Sequence, residues 1–250
     1  MIGVFDSGIG GLSAFFTLAS ALPQTDLLYY ADTAHLPLGE REENEILTLV
    51  TQAMTFFQQK GVSQVLLACG TAGAVALQKC KQKFAFPVYG IIKDGCLAAV
   101  QATRKGHIAV IATPATVSTH AYQKEILSLC PTARVTELAC PALVTAAEEG
   151  NASAVTAVLS PLSHCDADTL ILGCTHFPLL RTSISHALPH MRLIDPAAVA
   201  VTALIGIANK QEKAETGNHA FFTTGDPRFF EKRAAAAGFS LRAEQAHPNL

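Results

Sequence analysis

Val65-Leu66-Leu67-Ala68-Cys69-Gly70-Thr71 decides the fold once it is set beside Leu170-Ile171-Leu172-Gly173-Cys174-Thr175. Both are short apolar runs without polar alternation, the pattern of a strand buried on both faces of a parallel sheet. Each then passes through a small residue into a cysteine and a nearby threonine. Working outward, further short β-branched or apolar runs that read as strands occur at Ile2 to Phe5, Leu27 to Tyr30, Val88 to Ile92, Ile108 to Ala112, Val135 to Leu138 and Met191 to Ile194. Stretches of helical spacing lie between them. From Glu42 to Lys60, for example, Ile46, Leu47, Val50, Met54 and Phe57 form one apolar stripe.

Strands alternating with helices predict an α/β protein with parallel sheets. Eight strands and a pattern that restarts near residue 106 favour two similar open-sheet α/β domains facing each other across a cleft, related by a weak internal duplication. The expected lobes are 1–94 with 206–250, carrying Cys69, and 95–205, carrying Cys174. Ligands of open α/β sheets bind beyond the carboxyl ends of the strands, so both thiols are expected to face the cleft. The segment Phe221 to Gly238 reads as a strand, a Gly-Asp-Pro turn and an alanine-rich helix.

Half of the 250 residues are apolar, 15% are charged, and the formal net charge is -2. That balance offers no basic face for nucleic acid and directs attention to a small-molecule partner. The N-terminus lacks the pattern of a signal peptide and no stretch approaches ~20 uninterrupted apolar residues; a cytoplasmic, membrane-free protein is the expectation. Seven cysteines without framework spacing are expected to be free thiols.

The loop Asp6-Ser7-Gly8-Ile9-Gly10-Gly11 follows the first strand and precedes a helix near Leu12, but Ser13 stands where a dinucleotide fingerprint needs its third glycine. The preferred reading is that its backbone amides approach a carboxylate, with Asp6 able to hold a proton; the plain alternative is that Asp6 or Ser7 caps the helix. Cys69 and Cys174, at strand ends, are expected to gain a lowered pKa from helix-start amides, with His176 able to share a proton with Cys174. Cys80, Cys96, Cys130, Cys140 and Cys165 read as inert. Zinc is disfavoured because no C-x-x-C pair occurs and Cys174-x-His176 alone is poor support. A cysteine-histidine hydrolase would leave one thiol unexplained.

Together, Ile2-Gly3-Val4-Phe5-Asp6-Ser7-Gly8-Ile9-Gly10-Gly11, Ala68-Cys69 with Thr71, Ile111-Ala112-Thr113-Pro114, Glu148-Glu149-Gly150 and Gly173-Cys174-Thr175-His176-Phe177-Pro178 resemble the glutamate racemase family over essentially the whole chain. The resemblance implies an isomerase that inverts an acidic amino acid without pyridoxal phosphate, metal or nucleotide, supplying D-glutamate for peptidoglycan. It implies two thiols as bases on opposite faces of the α-carbon, since one group cannot reach both. Cys69 with Asp6 would act on the D-enantiomer and Cys174 with His176 on the L-enantiomer. Ser7, Thr71, Thr113 and Thr175 would hold the substrate, Glu148 would supply an active-site carboxylate, and Pro37, Leu38, Gly39 and Gly70 would line the pocket. The chain departs from the family pattern at Gly70 in place of asparagine, Leu38 in place of tyrosine, His35 in place of arginine, and Lys93-Asp94 in place of Glu-Pro.

Three alternatives remain open on the sequence: a racemase of aspartate or another acidic amino acid, a non-catalytic homologue that binds one, and a thiol lyase or decarboxylase of the same superfamily. A homodimer is left open by the spacing.

Overall fold

The computed structural model describes residues 1–207 and 216–246. Its first sheet contains β1 (Ile2–Asp6), β2 (Leu27–Ala31), β3 (Gln64–Leu67), β4 (Val88–Gly90), β9 (His219–Thr223) and β10 (Glu244–Gln245), in the order β10-β9-β2-β1-β3-β4. The second contains β5 (His107–Ala112), β6 (Arg134–Ala139), β7 (Thr169–Leu172) and β8 (Arg192–Ile194), in the order β6-β5-β7-β8. Every strand pair is parallel. The chain is therefore two parallel-sheet α/β domains. The order β2-β1-β3-β4 is repeated as β6-β5-β7-β8, with β9 and β10 added at one edge of the first sheet.

The helices are α1 (Leu12–Ala21), α2 (Glu43–Gln59), α3 (Gly70–Lys83), α4 (Ile92–Ala102), α5 (Pro114–Thr119), α6 (Ala121–Leu129), α7 (Pro141–Glu149), α8 (Val155–Val158), α9 (Arg181–Ala187), α10 (Pro196–Ile207) and α11 (Pro227–Ala236). In α2 the stripe Ile46, Val50, Met54 and Phe57 is buried against β1, β2 and β3, with Leu47 half-buried at its edge. Burying a side chain such as Phe57 fully contributes about 1.5–3 kcal/mol, which is why this amphipathic segment docks on the sheet. On the opposite face Leu12, Phe15 and Leu18 of α1 pack with Val201 and Leu204 of α10 and with Phe230 and Ala234 of α11. The second sheet is covered on one side by Ile92, Cys96 and Ala99 of α4 with Tyr122 and Ile126 of α6, and on the other by residues of α7, α8 and α9.

Two details differ from the sequence reading. The run Val88 to Ile92 is a strand only to Gly90, and Ile92 already opens α4, since its apolar residues face a helix packing partner in the second lobe. The two-residue strand β10 carries too little apolar pattern to be read. The expected boundaries near residues 94 and 205 fall within α4 and α10, and α10 packs on both α1 and α4. Within 206–250, residues 208–215 and 247–250 lie outside the described residues.

Candidate active site

The carboxyl ends of β1, β3, β5 and β7 meet at the junction of the two lobes. Asp6, the last residue of β1, is fully buried. Its Oδ1 accepts a hydrogen bond from the Gly8 amide at 2.9 Å, and its Oδ2 accepts one from Thr175 Oγ1 of the opposite lobe at 2.8 Å. Gly11 occupies the N-cap position of α1 and has no side-chain capping bond, but its amide is met by the Asp6 carboxyl from the end of β1. Burial raises the Asp6 carboxyl above its ordinary value, although the His176 charge and the bonds from Gly8 and Thr175 oppose that rise. The loop can come this close only because it is glycine-rich. A Cβ on Gly8 would lie 2.8 Å from Glu148 Oε1, and one on Gly10 would lie 2.6 Å from Thr175 Oγ1. Tyr29 steadies the turn by donating its hydroxyl to the Gly8 carbonyl at 2.8 Å.

Cys69 is the N-cap of α3, as its position after β3 suggested, and is 4% exposed. The expected lowering of its pKa is overturned: burial, reinforced by the Asp6 charge, pushes the thiol up to about 12, against the helping bonds from the Ala72 amide and Ser7. Desolvation of a thiolate at this depth outweighs what one helix-start amide returns. The Ser7 hydroxyl lies 3.8 Å from its sulfur.

Cys174, 7% exposed, lies differently. The residues that follow it form a 3₁₀ turn, Phe177–Leu180, ahead of α9, so no α-helix start stands behind the sulfur as expected. His176 takes that place, with Nδ1 3.7 Å from Cys174 Sγ and Nε2 2.5 Å from Glu148 Oε1. The second carboxylate oxygen of Glu148 accepts from Arg233 of α11 at 2.6 Å. Burial works against a charged His176, yet the bonds to Cys174 and Glu148 hold its proton affinity well above the usual histidine value. Burial likewise opposes a charged Glu148, but His176 and Arg233 keep its carboxyl below the usual range.

Between the lobes, Thr71 Oγ1 and Thr113 Oγ1 lie 2.9 Å apart, and Thr113 Oγ1 lies 2.9 Å from Thr116 Oγ1. Gly39 packs directly on the Thr113 side chain. Leu38 is buried in the cluster that contains Cys69, and Pro37 beside it is half-buried. A Cβ on Gly70 would collide with the carbonyl oxygen of Gly173 and stand 3.9 Å from Cys174 Cα. The glycine that departs from the family pattern is thus where the two cysteine loops touch.

The profile of the Asp/Glu/Hydantoin racemase family matches residues 14–204, and a glutamate racemase of Gloeobacter violaceus is 40% identical, over 94% of this chain and 91% of its own. This chain belongs to the glutamate racemase family. Among solved glutamate racemases, an isoform from Bacillus anthracis superposes with a TM-score of 0.92 at 32% identity, covering 99% of this chain and 97% of that one. The Francisella tularensis enzyme, solved with D-glutamate, superposes with a TM-score of 0.91 at 30% identity and the same coverage. Family membership makes the chain an amino-acid racemase, an isomerase acting on a small molecule.

Within this glutamate racemase-family site, the structure gathers Asp6, Ser7, Cys69, Gly70, Thr71, Thr113, Glu148, Cys174, Thr175 and His176 at one junction. Of the five cysteines read as inert, Cys80, Cys96 and Cys140 lie in the cores, whereas Cys130 and Cys165 are half-buried. Among the described residues no group of three or more His, Cys, Asp or Glu side chains could hold a metal ion, and no helix is long and apolar enough to cross a membrane. Sequence reading missed Tyr29, Thr116 and Arg233. Tyr29 and Thr116 carry no motif. Arg233 was visible only as one of three cations, with Arg228 and Lys232, on an alanine-rich helix whose place in the fold the pattern left open.

Proposed function

We propose that this chain interconverts L- and D-glutamate by moving the α-proton between Cys69 and Cys174, and that it supplies D-glutamate for peptidoglycan in the cytoplasm. The carrying observation is that the two thiols approach one junction from opposite lobes, each with its own polar partner: Ser7 beside Cys69 and His176 beside Cys174. With L-glutamate, the Cys174 sulfur as thiolate takes the α-proton, and the Cys69 thiol delivers a proton to the other face of the planar carbanion. In the reverse direction the roles exchange, so no net proton is consumed. Burial that keeps Cys69 protonated, with its pKa near 12, suits it to the donor role.

His176, held charged, steadies negative charge on Cys174, and Glu148 fixes the ring's orientation. Ser7, Thr71, Thr113 and Thr175, with the amides of the Asp6 to Gly11 loop, supply donors for the two carboxylates and for charge developing on the α-carboxylate. The family resemblance, together with the relatives named as glutamate racemases, supports glutamate over aspartate. Because both sulfurs are nearly enclosed, substrate entry needs the two lobes to part.

Circular dichroism of the purified protein with L-glutamate, and separately with D-glutamate, without added cofactor, tests this. Decay to zero from both sides is the expected result. A trace that decays only with aspartate reassigns the substrate, and traces flat with every acidic amino acid leave a binding protein.

A further inference from the structure

Arg233 is not among the residues that motif or resemblance assigns to the site, yet it touches the Cys174 side of it. It lies on α11, which packs with α1 on the first sheet, and Glu148 lies on α7 over the second. The 2.6 Å bond from Arg233 to Glu148 Oε2 therefore crosses from one lobe to the other. It opens a continuous line: Arg233 to Glu148, Glu148 to His176 at 2.5 Å, and His176 to Cys174 at 3.7 Å. The guanidinium also lies over the ring of Phe229 on the same helix, 4.7 Å from its centroid. A cavity of about 200 Å³ bounded by Gly8, Leu36, Glu148, Phe230 and Arg233, and another of about 380 Å³ bounded by Ala147, Glu149, Leu180 and Arg233, flank the pair.

We propose that Arg233 is a positioning residue that closes the lobes over the Cys174 side of the site and sets the charge state of the His176–Glu148 pair. This rests on the racemase reading above. Glu148 is buried, and with a single partner a buried carboxylate takes up a proton more readily. Once neutral, it no longer holds His176 as the cation that faces Cys174. The other ionisable groups facing the pair are Asp6 and Tyr29 of the first lobe and Cys174 of the second. None of these is a cation, so Arg233 is the second positive charge on Glu148, beside His176.

The test compares wild type, Arg233→Met, Arg233→Lys and the exposed helix neighbour Lys232→Gln, with folding checked by circular dichroism. Two readouts are taken: the pH profile of kcat/KM for glutamate, and NMR titration of the His176 ring in the substrate-free protein. Arg233→Met should move the acid limb of the profile toward neutral by about one unit or more. Arg233→Lys should restore most of that shift, and Lys232→Gln should leave the limb in place. The His176 titration should shift in Arg233→Met and recover in Arg233→Lys. A folded Arg233→Met protein with unchanged limb and unchanged His176 titration overturns the proposal, whatever its rate. Inactive wild type would sink the racemase reading instead, and the ring titration would still decide the role of Arg233.

Discussion

Cys69 and Cys174 each stand two residues beyond the end of equivalent strands, β3 and β7. The residue between strand and cysteine is tied in the same way in both lobes: the Ala68 amide donates to the Phe5 carbonyl of β1, and the Gly173 amide donates to the Ile111 carbonyl of β5. The repeated strand order therefore delivers one thiol from each sheet to a common junction, which is the placement that proton transfer to and from opposite faces of a carbon requires. What surrounds the two sulfurs is not repeated. Cys69 has a hydroxyl and a buried carboxyl nearby, whereas Cys174 has an imidazole held by Glu148.

The Asp6–Thr175 bond joins the lobes through a buried carboxylate. Thr175→Val keeps the side chain's shape but leaves Asp6 Oδ2 without its donor, and an unsatisfied buried acceptor costs about 1–3 kcal/mol. The midpoint of urea unfolding should fall accordingly with little change in slope. An unchanged midpoint would mean that water replaces the hydroxyl without cost.

His176 gives stability a pH dependence of known sign. Its folded pKa lies above the ordinary value of 6.5, so between that value and the folded one the native state holds a proton that the unfolded chain has lost. The stabilisation is fully present below the unfolded value and is lost as pH rises, at about 1.4 kcal/mol per pH unit. Glu148 behaves in the opposite sense: its depressed folded pKa gives stability at neutral pH that is lost in acid as pH falls through that folded value. Urea titrations from pH 6.5 upward should show the alkaline slope in wild type and a loss of it in His176→Gln. Equal slopes in the two proteins would contradict the charged imidazole.

Gly70→Ala adds a Cβ where the Gly173 carbonyl already sits, and both neighbours are backbone. Relief requires the cysteine loops to part, at a cost in the range of about 1–3 kcal/mol for overpacking. The melting temperature should fall, and iodoacetamide should label Cys69 and Cys174 faster than in wild type. Unchanged labelling and stability would show that the loops do not rely on the missing side chain.

Most of the fold was legible because its central strands, β1, β2, β3, β5 and β7, are buried on both faces and so carry largely apolar runs such as Val65 to Leu67 and Leu170 to Leu172. The junction of Gly90 and Ile92 was not, since the apolar pattern crosses a strand end and a helix start without pause. In the site, Cys69, Cys174 and His176 declared themselves by position and by resemblance. Their electrostatics did not. A helix start behind Cys69 suggested a lowered pKa, but the depth of burial and the nearness of Asp6, which reverse the sign, exist only after the lobes come together. Arg233 was illegible for the same reason: its partner Glu148 lies 85 residues away in the sequence and in the other lobe.

The most direct test of transfer between two thiols is the fate of each enantiomer with one thiol removed. Cys69→Ala and Cys174→Ala, folded as judged by far-ultraviolet circular dichroism, would be given L-glutamate and D-glutamate separately and the decay of optical activity followed. A base on each face predicts that either substitution lowers racemisation in both directions by at least ~100-fold. Substantial racemisation of both enantiomers by either variant would contradict it, because a single remaining thiol cannot serve both faces.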